Sequence, residues 1–295
     1  IPKSVGNYYL MERFLILQRP AGLRRRCELL AFDLSLRLPK WLSYDVYLDQ
    51  LSFTGDTQID DIDRFLLLTR IADDAFLARL LHEGRDVQVY VYSWDHPCKH
   101  RQFSMRVDYL VWNDGIGEDL AELQGVPPER IRSVGASQFG YISEFLARGS
   151  CPRPYPFEYV YLGCFSGIPE LTVQEVRIIE RISQVMATVR PDLRLVMRPY
   201  PVLSDWSLYD PLQRCQNVVW DGEFRGKDLS IDEEKIGEKF RRIEHAVAFL
   251  HMGTTMGIEA CFTSTPSFIV DFGYAKRWGK LSIEHGIHQY QNQKY

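Results

Sequence analysis

The sequence predicts an α/β protein of two domains, each built on a parallel sheet. Three observations carry this. From residue 41 onward, short runs of β-branched and aromatic residues alternate with helical stretches, the pattern of β–α–β units. The alternation breaks at Ser150-Cys151-Pro152-Arg153-Pro154-Tyr155-Pro156, a Pro-rich segment without periodicity, and then restarts. The 295 residues suffice for two domains with their own cores, at ~100–200 residues per domain. The expected domains are residues 1–150 and 151–295.

The elements follow in order. Residues 12–40 interleave Arg13, Arg19, Arg24, Arg25, Arg26, Arg37 and Lys40 with leucines, against only Glu12, Glu28 and Asp33. Such a segment either lies on an anionic membrane surface or forms a packed helix pair with a solvated Arg face. In the first half, strands are expected at residues 44–48, 87–92, 107–112 and 131–134, with helices at 62–81 and 116–124. In the second half, strands are expected at 159–162, 193–197, 218–220, 246–252 and 268–271. Between the first two of these, Thr172 with Glu175 reads as a capping box. The Val173, Val176, Ile179, Ile182, Val185, Met186 and Val189 stripe that follows reads as one helix face. Gly and Asp cluster at 221–237, which predicts a surface loop.

Composition narrows the class. The formal net charge is −4, and no nucleic-acid partner is expected. Six scattered cysteines show neither C-x-x-C nor zinc spacing, so reduced thiols and no metal are expected. No apolar run approaches the ~20 residues of a spanning helix and no signal peptide is evident. The expected place is therefore the cytoplasm, with attachment to the inner membrane face open through residues 12–40. The chain starts at Ile1 and not Met, so a processed, engineered or incompletely represented chain is expected.

The most informative stretch is Phe249-Leu250-His251-Met252-Gly253-Thr254-Thr255-Met256-Gly257-Ile258-Glu259-Ala260. It reads as a buried strand, a Gly/Thr turn and a short helix. Free amides and the positive helix end at such a turn suit phosphate, and Glu259 lies where a carboxylate accepts from ribose hydroxyls. The alternative is a strand–helix junction with Thr255 as N-cap. A capping box would place an acid at Ile258, so capping accounts less well for Glu259.

Two halves with a late phosphate turn resemble the GT-B glycosyltransferase superfamily, which implies two Rossmann-like domains facing a cleft. Gly253 to Ala260 resembles its donor motif. Ser93-Trp94-Asp95-His96, Val111-Trp112-Asn113-Asp114, Gly135-Ala136-Ser137-Gln138-Phe139 and Met197-Arg198-Pro199-Tyr200-Pro201 resemble the branch that assembles bacterial surface polysaccharide, capsule and lipopolysaccharide. That branch includes Kdo- and polyol-phosphate-type transferases. Tyr200 stands where the pattern usually has His, and carries no positive charge near neutral pH. The resemblance covers about residues 87–272 and leaves the first forty residues outside.

The resemblance implies transfer of a sugar from a nucleotide-activated donor to a glycan or lipid-linked acceptor, without cofactor or metal. Donor contacts are expected at Gly163, Arg198, Tyr200, His251, Gly253, Thr254, Thr255, Met256 and Glu259. Arg198 either faces the leaving phosphate or makes a surface ion pair. Asp95 is expected as general base or nucleophile, with His96 as a further base; the other reading of Asp95 is an Asx turn. His251 is a substrate contact or a satisfied core histidine, and Trp94 and Trp112 stack on ligand or simply pack. The rival readings are a sugar-nucleotide epimerase of the same fold and an inactive nucleotide-binding module.

Overall fold

The computed structural model describes residues 22–35, 44–53, 58–69, 73–94, 96–99, 103–147, 152–164, 169–201, 205–222, 233–252 and 254–270. These form two compact units, one reaching to Gln138 and the other beginning at Phe139. The protein is α/β with two wholly parallel sheets.

In the first unit, helix α1 (Leu23–Ser35) precedes helix α2 (Tyr44–Leu48). Strand β1 (Arg64–Leu68), helix α3 (Asp74–His82), strand β2 (Asp86–Tyr90), helix α4 (His96–Lys99), strand β3 (Asp108–Val111), helix α5 (Asp114–Asp119) and strand β4 (Ile131–Ser133) follow. The sheet order is β1-β2-β3-β4, so each strand adds beside the one before it.

Two expectations are corrected here. Residues 44–48 are the one-turn helix α2 and not a strand. Tyr44, Tyr47 and Leu48 stand at i, i+3 and i+4, a helical spacing, and the two tyrosine rings stack at 6.1 Å. Residues 62–81 are not one helix. Phe65-Leu66-Leu67-Leu68 is a short apolar run that periodicity cannot assign, and it forms edge strand β1. Asp73 then caps α3, accepting from the Ala75 amide at 2.8 Å.

Helix α2 is pinned through Asp45. Its carboxylate accepts from Ser104 Oγ at 2.5 Å and from the Met105 amide at 2.9 Å, and pairs with Arg106 Nε at 3.3 Å. This ties α2 to the chain entering β3.

The second unit opens with helix α6 (Gly140–Ala147), ahead of the Pro-rich segment that the sequence suggested as the boundary. Strand β5 (Tyr159–Gly163), helix α7 (Pro169–Val189), strand β6 (Arg194–Arg198), a 3-10 segment (Trp206–Arg214), strand β7 (Val218–Trp220), helix α8 (Glu233–Glu244), strand β8 (Ala248–His251), helix α9 (Thr255–Ala260) and strand β9 (Ser267–Ile269) complete it. The order is β7-β6-β5-β8-β9. The winding starts at β5, runs outward to β7, then reverses to β8 and β9 on the other side.

Helix α7 begins at Pro169, so Thr172 and Glu175 lie inside it and do not form a capping box. Both are fully buried, and the Tyr209 hydroxyl donates to Glu175 Oε2 at 3.3 Å. Val185 and Val189 of the expected stripe are exposed, while Val176 and Ile179 are core. The loop expected at 221–237 is cut by α8, which starts at Glu233.

The sheet has two differently covered faces. Tyr159, Tyr161, Val196 and Phe249 pack on one side with Ile243, Ala246 and Ala260, under α8 and α9. Leu162, Leu195, Met197 and Met252 pack on the other with Val176, Ile179, Tyr209 and Leu212, under α7 and the 3-10 segment. Period-two alternation along β5, β6 and β8 sorts the side chains in this way.

Asp45→Ala removes a part-buried, charge-assisted cluster. It should destabilise the first unit by about 1.5–3 kcal/mol, seen as a thermal midpoint several degrees lower. An unchanged midpoint would show that Asp45 does not anchor α2.

Candidate functional site

In an open α/β sheet, ligands collect beyond the carboxyl ends of the strands, where the winding reverses. Among the described residues only the second sheet has such a reversal, between β5 and β8. The residues there are Gly163 and His251, paired in register, with Arg198 paired to Gly163 on the other side. All three therefore face the α8/α9 side, at neighbouring strand spacings of about 4.8 Å.

Helix α9 closes down on this edge. A Cβ on Gly163 would meet Met256 Sδ at 3.2 Å, and a Cβ on Gly257 would lie 2.3 Å from His251 Cε1. Both glycines therefore permit a close approach. The His251 ring stacks on Phe249 at 5.5 Å, nearly parallel. Thr254 and not Thr255 is the N-cap; its side chain makes no cap hydrogen bond, and Oγ1 is buried without a partner among the described residues. The first amides of a helix have no intrahelical partner.

Glu259 is buried, 5 % exposed. Its Oε1 takes a 2.7 Å contact from Lys239 Nζ on α8, while Oε2 makes no hydrogen bond among the described residues. The Tyr141 hydroxyl of α6 stands beside this carboxylate without a regular hydrogen bond. Burial first, and the Glu259 charge second, push that phenol above the ordinary tyrosine range.

Arg198 does make an ion pair, but a buried one. It is 4 % exposed, and its Nη1 lies 3.4 Å from Asp221 Oδ2. The same carboxylate accepts from the Tyr161 hydroxyl at 2.5 Å and stands 3.4 Å from Arg242 Nε. The Asp221 amide donates to Met197 O at 2.7 Å, which fixes Asp221 at the end of β7. Burial raises the Tyr161 phenol strongly, and the Asp221 charge adds to it. Buried charges persist when paired and hydrogen-bonded, and Asp221 is the common partner here.

Asp221, Lys239 and Arg242 were not read from the sequence. The one available signal was an acid directly after the apolar β7 run Val218-Val219-Trp220. Tyr200, just past β6, is half-buried. Gly253 and Asp95 lie outside the described residues.

His96, in the first unit, is 4 % exposed. Its Nδ1 lies 2.6 Å from Thr69 Oγ1, and its ring stands edge-on to Tyr92 at 4.6 Å. Trp94 and Trp112 are buried, which favours packing over ligand stacking. No group of three or more His, Cys, Asp or Glu among the described residues is arranged to hold a metal ion. No described helix is long and apolar enough to cross a membrane.

Burial lowers the His251 pKa from 6.5 to about 4, so the ring is neutral at pH 7. The unfolded chain, with an ordinary histidine, binds more protons between those values. The stability tied to the neutral ring is full above about pH 6.5 and lost as pH falls toward about 4. In His251→Asn the slope of unfolding free energy against pH should flatten in that window by up to about 1.4 kcal/mol per pH unit. Urea unfolding near pH 5 and near pH 7 measures it, and an equal slope in both proteins would contradict a buried neutral ring. Gly257→Ala should destabilise by about 1–3 kcal/mol through overpacking on the same ring, despite its better helix propensity. That cost should vanish in a His251→Ala background.

No family model matches the chain. No curated protein matches it. Among solved structures it is similar to the UDP-GlcNAc 2-epimerase of Methanocaldococcus jannaschii, at 13% identity and TM-score 0.44, covering 78% of this chain and 69% of that one. It is also similar to the same organism's UDP-GlcNAc 2-epimerase in complex with UDP-GlcNAc and UDP, at 13% identity and TM-score 0.39, covering 64% of this chain and 61% of that one.

Proposed function

We propose that the second unit binds a nucleotide-sugar at the β5/β8 reversal, and that the protein is a GT-B-like glycosyltransferase acting without a metal. The observation that carries this is the rank of Arg198, Gly163 and His251 across the carboxyl edge, with α9 starting directly above it. Buried Glu259 on α9, held at Oε1 by Lys239 and beside the Tyr141 hydroxyl, supplies the carboxylate that this reading needs.

In this reading the first amides of α9 and Arg198 face the diphosphate. Negative charge grows on that group as the sugar leaves, and fixed donors in a dry site stabilise it. Asp221 holds the Arg198 guanidinium in place at the strand edge. Glu259 accepts from ribose through Oε2, with Oε1 held by Lys239. Asp95 or His96 of the first unit would deprotonate the acceptor hydroxyl. The acceptor would be a glycan or lipid-linked sugar of surface-polysaccharide assembly.

Epimerisation of a nucleotide sugar is the second reading. Its candidate group is His251, a buried imidazole at the switch point that is neutral at pH 7. Product analysis separates the two: sugar on an acceptor, or an altered donor.

Calorimetric titration with UDP, GDP, CDP and CMP tests the site. Glu259→Gln keeps shape and should weaken the nucleotide that binds by about 5- to 150-fold. Arg198→Ala should weaken it comparably, and Arg198→Lys should not restore it, because an ammonium cannot make the forked contact. Equal affinity in folded Glu259→Gln and wild type would remove the ribose assignment.

A further inference from the structure

On the opposite face of the second sheet, at edge strand β7, lies a depression of about 490 Å³ lined by Trp206, Ser207, Asp210, Gln213 and Trp220. Both tryptophans pack on the core under α7, away from the face that carries Tyr161 and Phe249. This pocket is therefore separate from the nucleotide site.

The indoles are positioned, not loose. Trp206 opens the 3-10 segment, which Asp205 starts by accepting from the Ser207 amide at 3.0 Å. Its ring lies on Gly222, where a Cβ would come within 2.7 Å of it. Trp220 stands edge-on to Tyr209, with centroids 5.8 Å apart. Both remain half-buried, so part of each ring surface is open to a ligand.

Among the described residues the lining holds no Lys, Arg or His, and Asp210 is its one ionisable group. A phosphate would meet like charge and no donor cation, which argues against a nucleotide. A pyranose ring suits the lining better. Its C–H face is apolar and packs on indole, and its hydroxyls both donate and accept. Gln213 Nε2 donates to Asp210 Oδ1 at 3.0 Å, which sets the amide and the carboxylate side by side. Asp210 Oδ2 and the Gln213 carbonyl then remain as acceptors among the described residues. Ser207 Oγ donates to Asp205 at 2.5 Å and can itself accept. The volume is within the usual ~300–1,000 Å³ of small-molecule sites.

We propose that this pocket binds a neutral pyranose unit of a glycan. The inference goes beyond the nucleotide reading and does not depend on it.

Saturation-transfer NMR on the whole chain tests it, with N-acetylglucosamine, chitobiose, methyl glucoside and methyl galactoside as probes. At least one should bind saturably. Trp220→Ala and Asp210→Ala should each weaken that probe about tenfold or more, while the thermal midpoint of Asp210→Ala stays at the wild-type value. Asp210 is exposed, so Asp210→Ala should keep the fold even if Trp220→Ala does not. No saturable binding of any probe to wild type overturns the proposal. So does sugar affinity unmoved in Asp210→Ala.

Discussion

The second unit is organised around one close contact, the His251 ring lying on the backbone of Gly257. Helix α9 has only six residues and too few internal hydrogen bonds to hold its own direction. Its position comes from tertiary packing: Gly257 lets it down onto the imidazole, and Gly163 makes room for Met256. That same contact desolvates the ring and keeps it neutral. With α9 fixed, Glu259 is carried into the interior, where Lys239 of α8 meets it. Removing either glycine would lift the helix and separate the strand edge from the helix start.

Charge around this edge is ordered by Asp221. Arg198 and Arg242 reach it from β6 and α8, and Tyr161 reaches it from β5. A lone buried guanidinium would be expelled or would distort the sheet. One carboxylate thus serves two guanidiniums, one from β6 and one from α8.

The sequence makes the strand ends and the helix start legible because they are local. Tyr159 to Gly163 alternates, the apolar run before His251 is short and flanked by turns, and Gly and Thr mark the junction. The partners are not local. Lys239 precedes Glu259 by the last part of α8 and all of β8, and Asp221 meets Tyr161 only because β5 and β7 flank β6. Nothing in their own neighbourhoods marks them out. The misread elements fail for a related reason. Residues 44–48 and 64–68 are too short for period alone to separate helix from strand, and packing on Asp74 and Ser104 or beside β2 decides them. Thr172 and Glu175 match a capping pattern, yet Pro169 starts the helix earlier, where its missing amide donor costs nothing.

Strand order explains why one sheet carries the stronger site. In the first sheet each described strand adds beside its predecessor, so adjacent crossovers leave the same way and no gap opens between them. In the second, the chain leaves β5 in one direction and returns to β8 on the other side, so the connections after the two strands diverge. Helix α9 occupies that divergence, with Met256 against Gly163 and Gly257 against His251. The two faces of this sheet then differ in chemistry. The α8/α9 face holds Arg198, Arg242 and Lys239, while the pocket at Trp206 and Trp220 has no cation in its lining. A face with three cations and a pocket without one among the described residues are thus separated by the thickness of one sheet. Because β7 contributes Trp220 to one face and leads directly into Asp221 on the other, a shift of this edge strand would be felt on both sides.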